Sequence, residues 1–411
     1  MAIFLHEENK KGEGSFYHPY ISTLPETVEG LPTNFNEKDL ALLEGSPILE
    51  NITSRQANIR YDYSLIAEGM TELAQALSFE EFKHWRSIIG SRVFGIEIKG
   101  EKTAAMIAFA DMINHRCPKL SAWEYSDKND SFELRSLGTI SEGVEIFDSY
   151  GDKSSAKFFV NYGFLEEFQE SAVYLFRLPA NPPLISIYQS VISEYNSKFH
   201  KFLSTETSQL NLELELTQDY EKNTLIKSLR FLTLHTLAQQ KATPFLDHIY
   251  TDVQDSIHNH ISHMPPDTHD TQAVKLIARI VADGISRIDP ISTTHEIAVL
   301  TRCRELCLDR LNSYSTDIDA DVQMLNDRGV YSTFDGVDGM GDKLSYDQDI
   351  CIRYRVSEKR LLSNTRDMID NVIPLFKMTT KAIVELIDHH PYKNYREYIE
   401  ASILPLIEHK R

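Results

Sequence analysis

Apolar residues along this chain follow two different spacings. Residues 62–77 carry helical apolar spacing, and Ser78 with Glu81 forms a capping box that opens a further helix bearing Phe82, Trp85, Ile88 and Ile89. That helix is expected to run down to residues 91–94. Residues 15–25 hold two prolines among aromatic side chains and read as a loop. From 104 to 164 the pattern changes. Residues 132–137 alternate apolar and polar, as a half-buried strand does. Residues 141–143 read as a turn, 144–147 as a second short strand, and 154–160 as a short helical turn. Beyond about 180 the helical spacing returns. Leu225, Leu229 and Leu232 share one face, and Val274, Ile277, Val281 and Ile285 another. Thr293 and Glu296 predict a capping box, and 364–388 and 393–404 predict two more helices, the first interrupted at Pro374. The proline-rich stretch 178–183 predicts a domain boundary near 175–185. The expected class is α+β, with a mixed first domain at 1–175 and an all-α second domain at 185–405. No internal repeat of fixed period is visible.

Composition narrows the function classes. A chain of 411 residues suits two domains. Its 42% hydrophobic and 25% charged content excludes a wholly disordered chain. No apolar run is long enough to cross a bilayer, so no membrane partner is expected. Four cysteines are too few for a disulfide scaffold and point to a reducing compartment. The net charge of −19 argues against nucleic-acid binding through a general basic surface. An acidic surface attracts a basic protein or peptide, although solubility alone accounts for it. The first eight residues lack the basic start, long apolar run and cleavage site of a secretory leader, and read as the end of a helix already under way.

Two stretches carry candidate chemistry. The first is Ala110-Asp111-Met112-Ile113-Asn114-His115; the second is Asp148-Ser149-Tyr150-Gly151, followed by Asn161-Tyr162-Gly163-Phe164. Asn114 offers a donor and an acceptor, and His115 adds a ring. Tyr150 at a strand end reads as a core residue with a tethered hydroxyl, the commoner case, or as a catalytic hydroxyl, and the residues alone leave both open. Other clusters carry less. His258, His260, His263 and His269 lack standard ligand spacing, Cys303 and Cys307 lack a second ligand pair, and 335–342 resembles a calcium loop without its closing glutamate. No metal site is expected.

The two stretches together resemble the signature motifs of the SET domain, the fold of many protein lysine methyltransferases. Residues 16–25, Trp85, Ser91-Arg92-Val93-Phe94 and Asp111 to His115 are similar to the subclass typified by the Rubisco large-subunit methyltransferase. The resemblance implies a SET β-clip-like core with a helical insertion at about 10–95. It also implies an all-α substrate-binding domain after it. Residues 311–318 with Asp321, and then 352–359 with Leu361 and Leu362, match that domain's recurrent Tyr-x-Thr and Arg-x-x-Glu-Lys patterns. What it implies for function is an S-adenosylmethionine-dependent lysine methyltransferase acting on a non-histone protein, which the helical domain would dock. A histidine methyltransferase, or an inactive adaptor, are the alternatives. By the same resemblance Tyr150 is the catalytic tyrosine. Asn114, His115, Arg92 and Phe159 would meet the cofactor. Tyr162, Tyr125, Ser91, Phe94 and Asp111 would line the substrate channel, with core packing left open for Tyr162 and Phe94. A SET domain begins with a strand-rich arm carrying Gly-x-Gly. Here Gly12-Glu13-Gly14 has the spacing but stands in the insertion as a flexible loop, so the expectation is an arm cut off rather than lost. Ser155 stands where the family usually has Asn, and Val144 where it has Glu or Gln. A monomer in the cytoplasm or nucleus is expected, or in a plastid if a transit segment precedes the chain.

Overall fold

The structure is a computed structural model. It describes residues 1–69, 76–166, 172–199, 210–238, 244–262, 270–328, 330–331, 343–388 and 395–408. The histidines at 263 and 269 and the calcium-like stretch 335–342 lie outside the described residues. The chain divides into two compact units: residues 1–171 with 319–356, and residues 172–318 with 357–411. The helical second half is therefore not one contiguous block. Residues 319–356 join the first unit for identifiable reasons. Asp347 accepts the Gly30 N–H at 2.6 Å, and the Tyr346 hydroxyl donates to the Gly163 carbonyl at 3.4 Å. Arg355 forks onto Asp321 at 2.9 and 2.5 Å.

The first unit opens with helices. Ala2–Lys10, Ile48–Gly69 and Phe79–Arg92 pack Leu5, Ile59, Phe82 and Trp85 into one core. The expected capping box at Ser78 is present: its hydroxyl accepts from the Glu81 N–H, and Glu81 accepts from the Ser78 N–H. Gly12–Gly14 forms a short 3₁₀ turn. The helix ends at Arg92 and the chain enters a strand at once. Val93–Ile98 pairs antiparallel with Glu101–Met106. Lys99 and Gly100, both at positive φ, make the two-residue turn whose twist suits a hairpin. A second hairpin pairs Ser121–Ser126 with Ser131–Ser136, as the alternation of 132–137 predicted. Residues 144–147 do not form the expected strand. Only Phe147–Asp148 pairs, in parallel with Asn114–His115, while Val144 and Ile146 are exposed. An apolar groove of about 880 Å³, walled by Phe4, Phe16, Tyr17, Met106, Phe109 and Met112, lies open on this unit.

The helix Ser155–Tyr162 ends on Gly163 in the left-handed region, φ 76°. Gly163 also crosses Gly30, φ 73°, at close range. A Cβ on Gly163 would stand 2.7 Å from the Gly30 carbonyl carbon, and one on Gly30 would stand 2.2 Å from the Gly163 oxygen. Only glycine satisfies both the sign of φ and the approach.

The second unit is helical around one antiparallel pair, Val173–Pro179 with Asn211–Thr217. Leu212, Leu214 and Leu216 alternate into its core beside Tyr174 and Phe176. The expected Thr293–Glu296 capping box does not form. Ser292 is the N-cap, accepting from the His295 N–H, because Glu296 has a stronger partner. Buried Arg230 forks onto Glu296 at 3.0 and 2.8 Å, and the Tyr398 hydroxyl donates to the same carboxylate at 2.8 Å. Cys303 and Cys307 are buried in the core. The helix Tyr346–Val372 stops two residues before Pro374, which lies in a 3₁₀ turn. Among the described residues no helix is long and apolar enough to cross a membrane.

Two expected outcomes follow from these contacts. Gly163→Ala should lower stability by more than about 1 kcal/mol. In a thermal melt followed by circular dichroism that is a fall of at least roughly 2–4 °C. Glu296→Ala should cost about 3–5 kcal/mol by stranding a buried guanidinium. The paired change Arg230→Met with Glu296→Leu should cost less in a urea titration, because no charge is left unpaired.

Candidate active site

The site forms where three short segments meet. The 3₁₀ turn Ala110–Met112 delivers Asp111, and the chain then extends through Ile113 into Asn114–His115. The parallel register sets His115 opposite Asp148, two residues before Tyr150. Tyr150 is then fixed at both ends by one segment. Its backbone N–H donates to His115 Nδ1 at 3.0 Å, and its hydroxyl donates to the Ile113 carbonyl at 2.8 Å. With Nδ1 accepting, the imidazole carries its proton on Nε2, which donates to Glu166 Oε1 at 2.8 Å. The His115 ring stacks on Phe158 at 4.6 Å. Tyr150 packs against Tyr162 at 4.8 Å. Burial raises the Tyr150 hydroxyl to about 12, so it stays protonated at neutral pH.

Arg92, from the end of the helix Phe79–Arg92, donates to the Asp111 carbonyl at 3.0 Å and to its Oδ2 at 3.4 Å. The Tyr20 hydroxyl donates to the same Oδ2 at 2.5 Å. Burial, and then this bond to a carboxylate, hold the Tyr20 hydroxyl well above its ordinary value. Asp111 Oδ1 is buried and has no hydrogen-bond partner.

Two cavities share a wall here. One, of about 380 Å³, adds Asn114, His115 and Phe164 to the wall; the other, of about 270 Å³, adds Phe94, Trp123 and Asp148. Ser91, Arg92, Asp111, Tyr150 and Tyr162 line both. The Ser91 hydroxyl donates to helix carbonyls at residues 87 and 88, so it presents its oxygen as an acceptor. Asn114 is exposed and donates to Glu145 at 2.6 Å. Phe94 lies edge-on to Trp123 at 5.2 Å and lines the smaller cavity.

Eight of the ten expected residues thus gather on the two cavities, and two do not. Phe159 is fully buried on the opposite face of its helix, stacked on Tyr354 at 4.8 Å. The aromatic that reaches His115 is its neighbour Phe158, one helical step of about 100° away. Tyr125 lies one pleat further along its strand, where its hydroxyl donates to Asp130 at 2.5 Å near the hairpin turn. Trp123, two residues earlier on the same face, takes the wall position. Asp148, Glu166 and Phe158 were not singled out. Glu166 carries no local signal, whereas Asp148 and Phe158 sit inside or beside the quoted motif. Among the described residues no cluster of metal-ligating side chains occurs.

Comparison with known proteins adds likenesses of sequence and fold. Residues 198–362 match the family described as Rubisco LSMT substrate-binding. SET domain-containing protein 4 of Artemia parthenogenetica is 24% identical over 211 residues, 48% of this chain and 50% of its own length. The ribosomal lysine N-methyltransferase set10 of Schizosaccharomyces pombe is 26% identical over 40% of this chain and 30% of its own. The actin-histidine N-methyltransferase of Mus musculus is 26% identical over 36% of this chain and 27% of its own. The matches span half or less of these curated relatives. The solved SET domain of LSMT bound to lysine and AdoHcy superposes with a TM-score of 0.59 at 18% identity, covering 97% of this chain and 81% of that one. Rubisco LSMT bound to AdoMet superposes with a TM-score of 0.59 at 17% identity, covering 91% and 74%. The fold is that of the solved Rubisco LSMT structures, and in sequence less than half of the chain is similar to the curated SET-domain and methyltransferase relatives.

Proposed function

We propose that this chain is an S-adenosylmethionine-dependent protein methyltransferase whose target is a lysine of a non-histone protein. The helical unit would bind that protein, and a monomer in the cytoplasm or nucleus would suffice. The observation that carries the reading is the placement of Tyr150 on the wall between two cavities, with its hydroxyl proton already committed to Ile113. S-adenosylmethionine, when bound, supplies a methyl group on a sulfonium. Asn114, His115 and Arg92 line the larger cavity that would hold it. Its residues fit such a group: Asp111 Oδ1 is a buried acceptor with no partner, suited to an electropositive neighbour.

The residues divide the remaining work. A free lysine has a pKa of about 10.4 and must lose a proton before its nitrogen can attack. Desolvation in the smaller cavity favours the neutral amine. Because the Tyr150 hydroxyl donates to Ile113, its oxygen is left to accept an N–H from that amine, which aims the nitrogen lone pair elsewhere. Positioning of this kind is where most of the rate enhancement would come from. Tyr150 cannot act as a base near neutrality, since its hydroxyl is held up at about 12. A histidine target is the second reading, favoured by the likeness to actin-histidine methyltransferases.

Calorimetric titration with S-adenosylmethionine should show saturable heat; a flat trace would support a docking adaptor instead. Tyr150→Phe should lower methyl transfer by about 10²-fold or more while the cofactor still binds. Equal turnover would remove Tyr150 from this role. The wild-type rate should climb from pH 7 to about 10 as the target amine loses its proton. Tyr150 should add no falling limb there, because it keeps its proton to about pH 12.

A further inference from the structure

Among the described residues, a carboxylate oxygen at the smaller cavity finds no hydrogen-bond partner. Asp148 is 5% exposed, lines this cavity, and its Oδ1 has no hydrogen-bond partner. Asp111 also borders this cavity, but its side chain is fully buried. The cations nearby are otherwise engaged. Arg92 is spent on the Asp111 carbonyl and Oδ2. The Lys153 ammonium lies over the Tyr162 ring at 5.7 Å and forms no ion pair with Asp148. A buried carboxylate without a partner is costly to keep, and it persists where something outside the chain completes it. The other walls include Phe94, Trp123, Tyr150 and Tyr162, aromatic rings of a kind that favours a cation, together with Arg92 and Lys153.

We propose that Asp148 is a specificity-determining residue: it admits the target side chain as a cation, selecting a lysine ammonium over an imidazole. At neutral pH lysine is almost wholly charged and histidine mostly neutral, so a carboxylate entrance separates them without any difference in shape. The inference rests on the methyl-transfer reading only in taking the smaller cavity as the target's. Asp148 stabilises only the ammonium that first arrives, whose proton must pass to solvent before the neutral amine can attack, so losing Asp148 weakens target binding and does not slow the transfer step.

The test uses the full chain and three small probes: Nα-acetyl-lysine methylamide, its histidine counterpart, and the norleucine counterpart as the neutral isostere. Trp123 lines the cavity and reports occupancy through its fluorescence. At pH 7 the lysine probe should bind at least roughly tenfold tighter than the other two, the value of one charge-assisted hydrogen bond. In Asp148→Asn that preference should fall to near unity, with S-adenosylhomocysteine affinity unchanged and Tm no lower than wild type. With a methyl-accepting protein, the same variant should raise KM without lowering kcat. Equal affinity for the lysine and norleucine probes, a preference that survives Asp148→Asn, or no saturable binding of the lysine probe would each overturn the inference. A chain that selects the lysine probe through Asp148 yet binds no S-adenosylhomocysteine would keep the inference and overturn the methyl-transfer reading.

Discussion

The site depends on one short parallel pairing, Asn114–His115 against Phe147–Asp148. Two residues on each side are little sheet by any standard. Yet this pairing fixes which segment Tyr150 meets, and a slip of one residue would turn every side chain to the other face. The register is secured from outside the ladder. His115 Nδ1 takes the Tyr150 N–H, the Arg116 N–H takes the Asp148 carbonyl at 2.9 Å, and the Tyr150 hydroxyl closes the loop on Ile113. Glu166 then fixes the imidazole from its far side, holding the tautomer that the first bond needs. His115 is better described as the brace of Tyr150 than as a free ring awaiting a ligand.

The surrounding fold serves that brace through backbone fit. The helix carrying Phe158 and Tyr162 must stop where Phe164 can turn back toward His115, which requires a left-handed residue at 163. The same glycine must let Gly30 pass so closely that a Cβ would collide. Elsewhere buried polar contacts do structural work. Tyr314 donates to Glu358 at 2.8 Å, and Lys359 caps the Thr316 carbonyl at 2.5 Å. These are residues of the Tyr-x-Thr and Arg-x-x-Glu-Lys patterns, and the arginine, Arg355, forks onto Asp321. Such contacts hold loops to helices.

Much of the site could be read along the chain, and the misses share a cause. Residues next to a named motif were placed in the right neighbourhood, because a strand end or a helix start is local. What sequence could not supply was the phase of the neighbour. Phe158 and Phe159 are equally apolar, and only the packing of Phe35 and Tyr354 decides which one faces inward. Tyr125 and Trp123 share a face, and only the length of the hairpin decides which reaches the wall. Glu296 looked like a cap residue until Arg230, 66 positions earlier, claimed it. In each case a contact remote in sequence overrode a sound local preference.

Asp148 shows the opposite situation, where a local rule fails without a compensating contact. The other acids near the site each have at least one donor: buried Asp111 has two on Oδ2, and half-buried Glu166 has an imidazole. Natural sequences break such rules mainly where function asks for it. A chain that needed Asp148 only for packing could place an asparagine or leucine there and avoid the desolvation cost altogether. The carboxylate instead sits two residues before the tyrosine on which the proposed chemistry turns, facing the cavity that the aromatic walls shape for a cation. Its cost is intelligible as a property of the unliganded site, relieved only when a positively charged side chain enters.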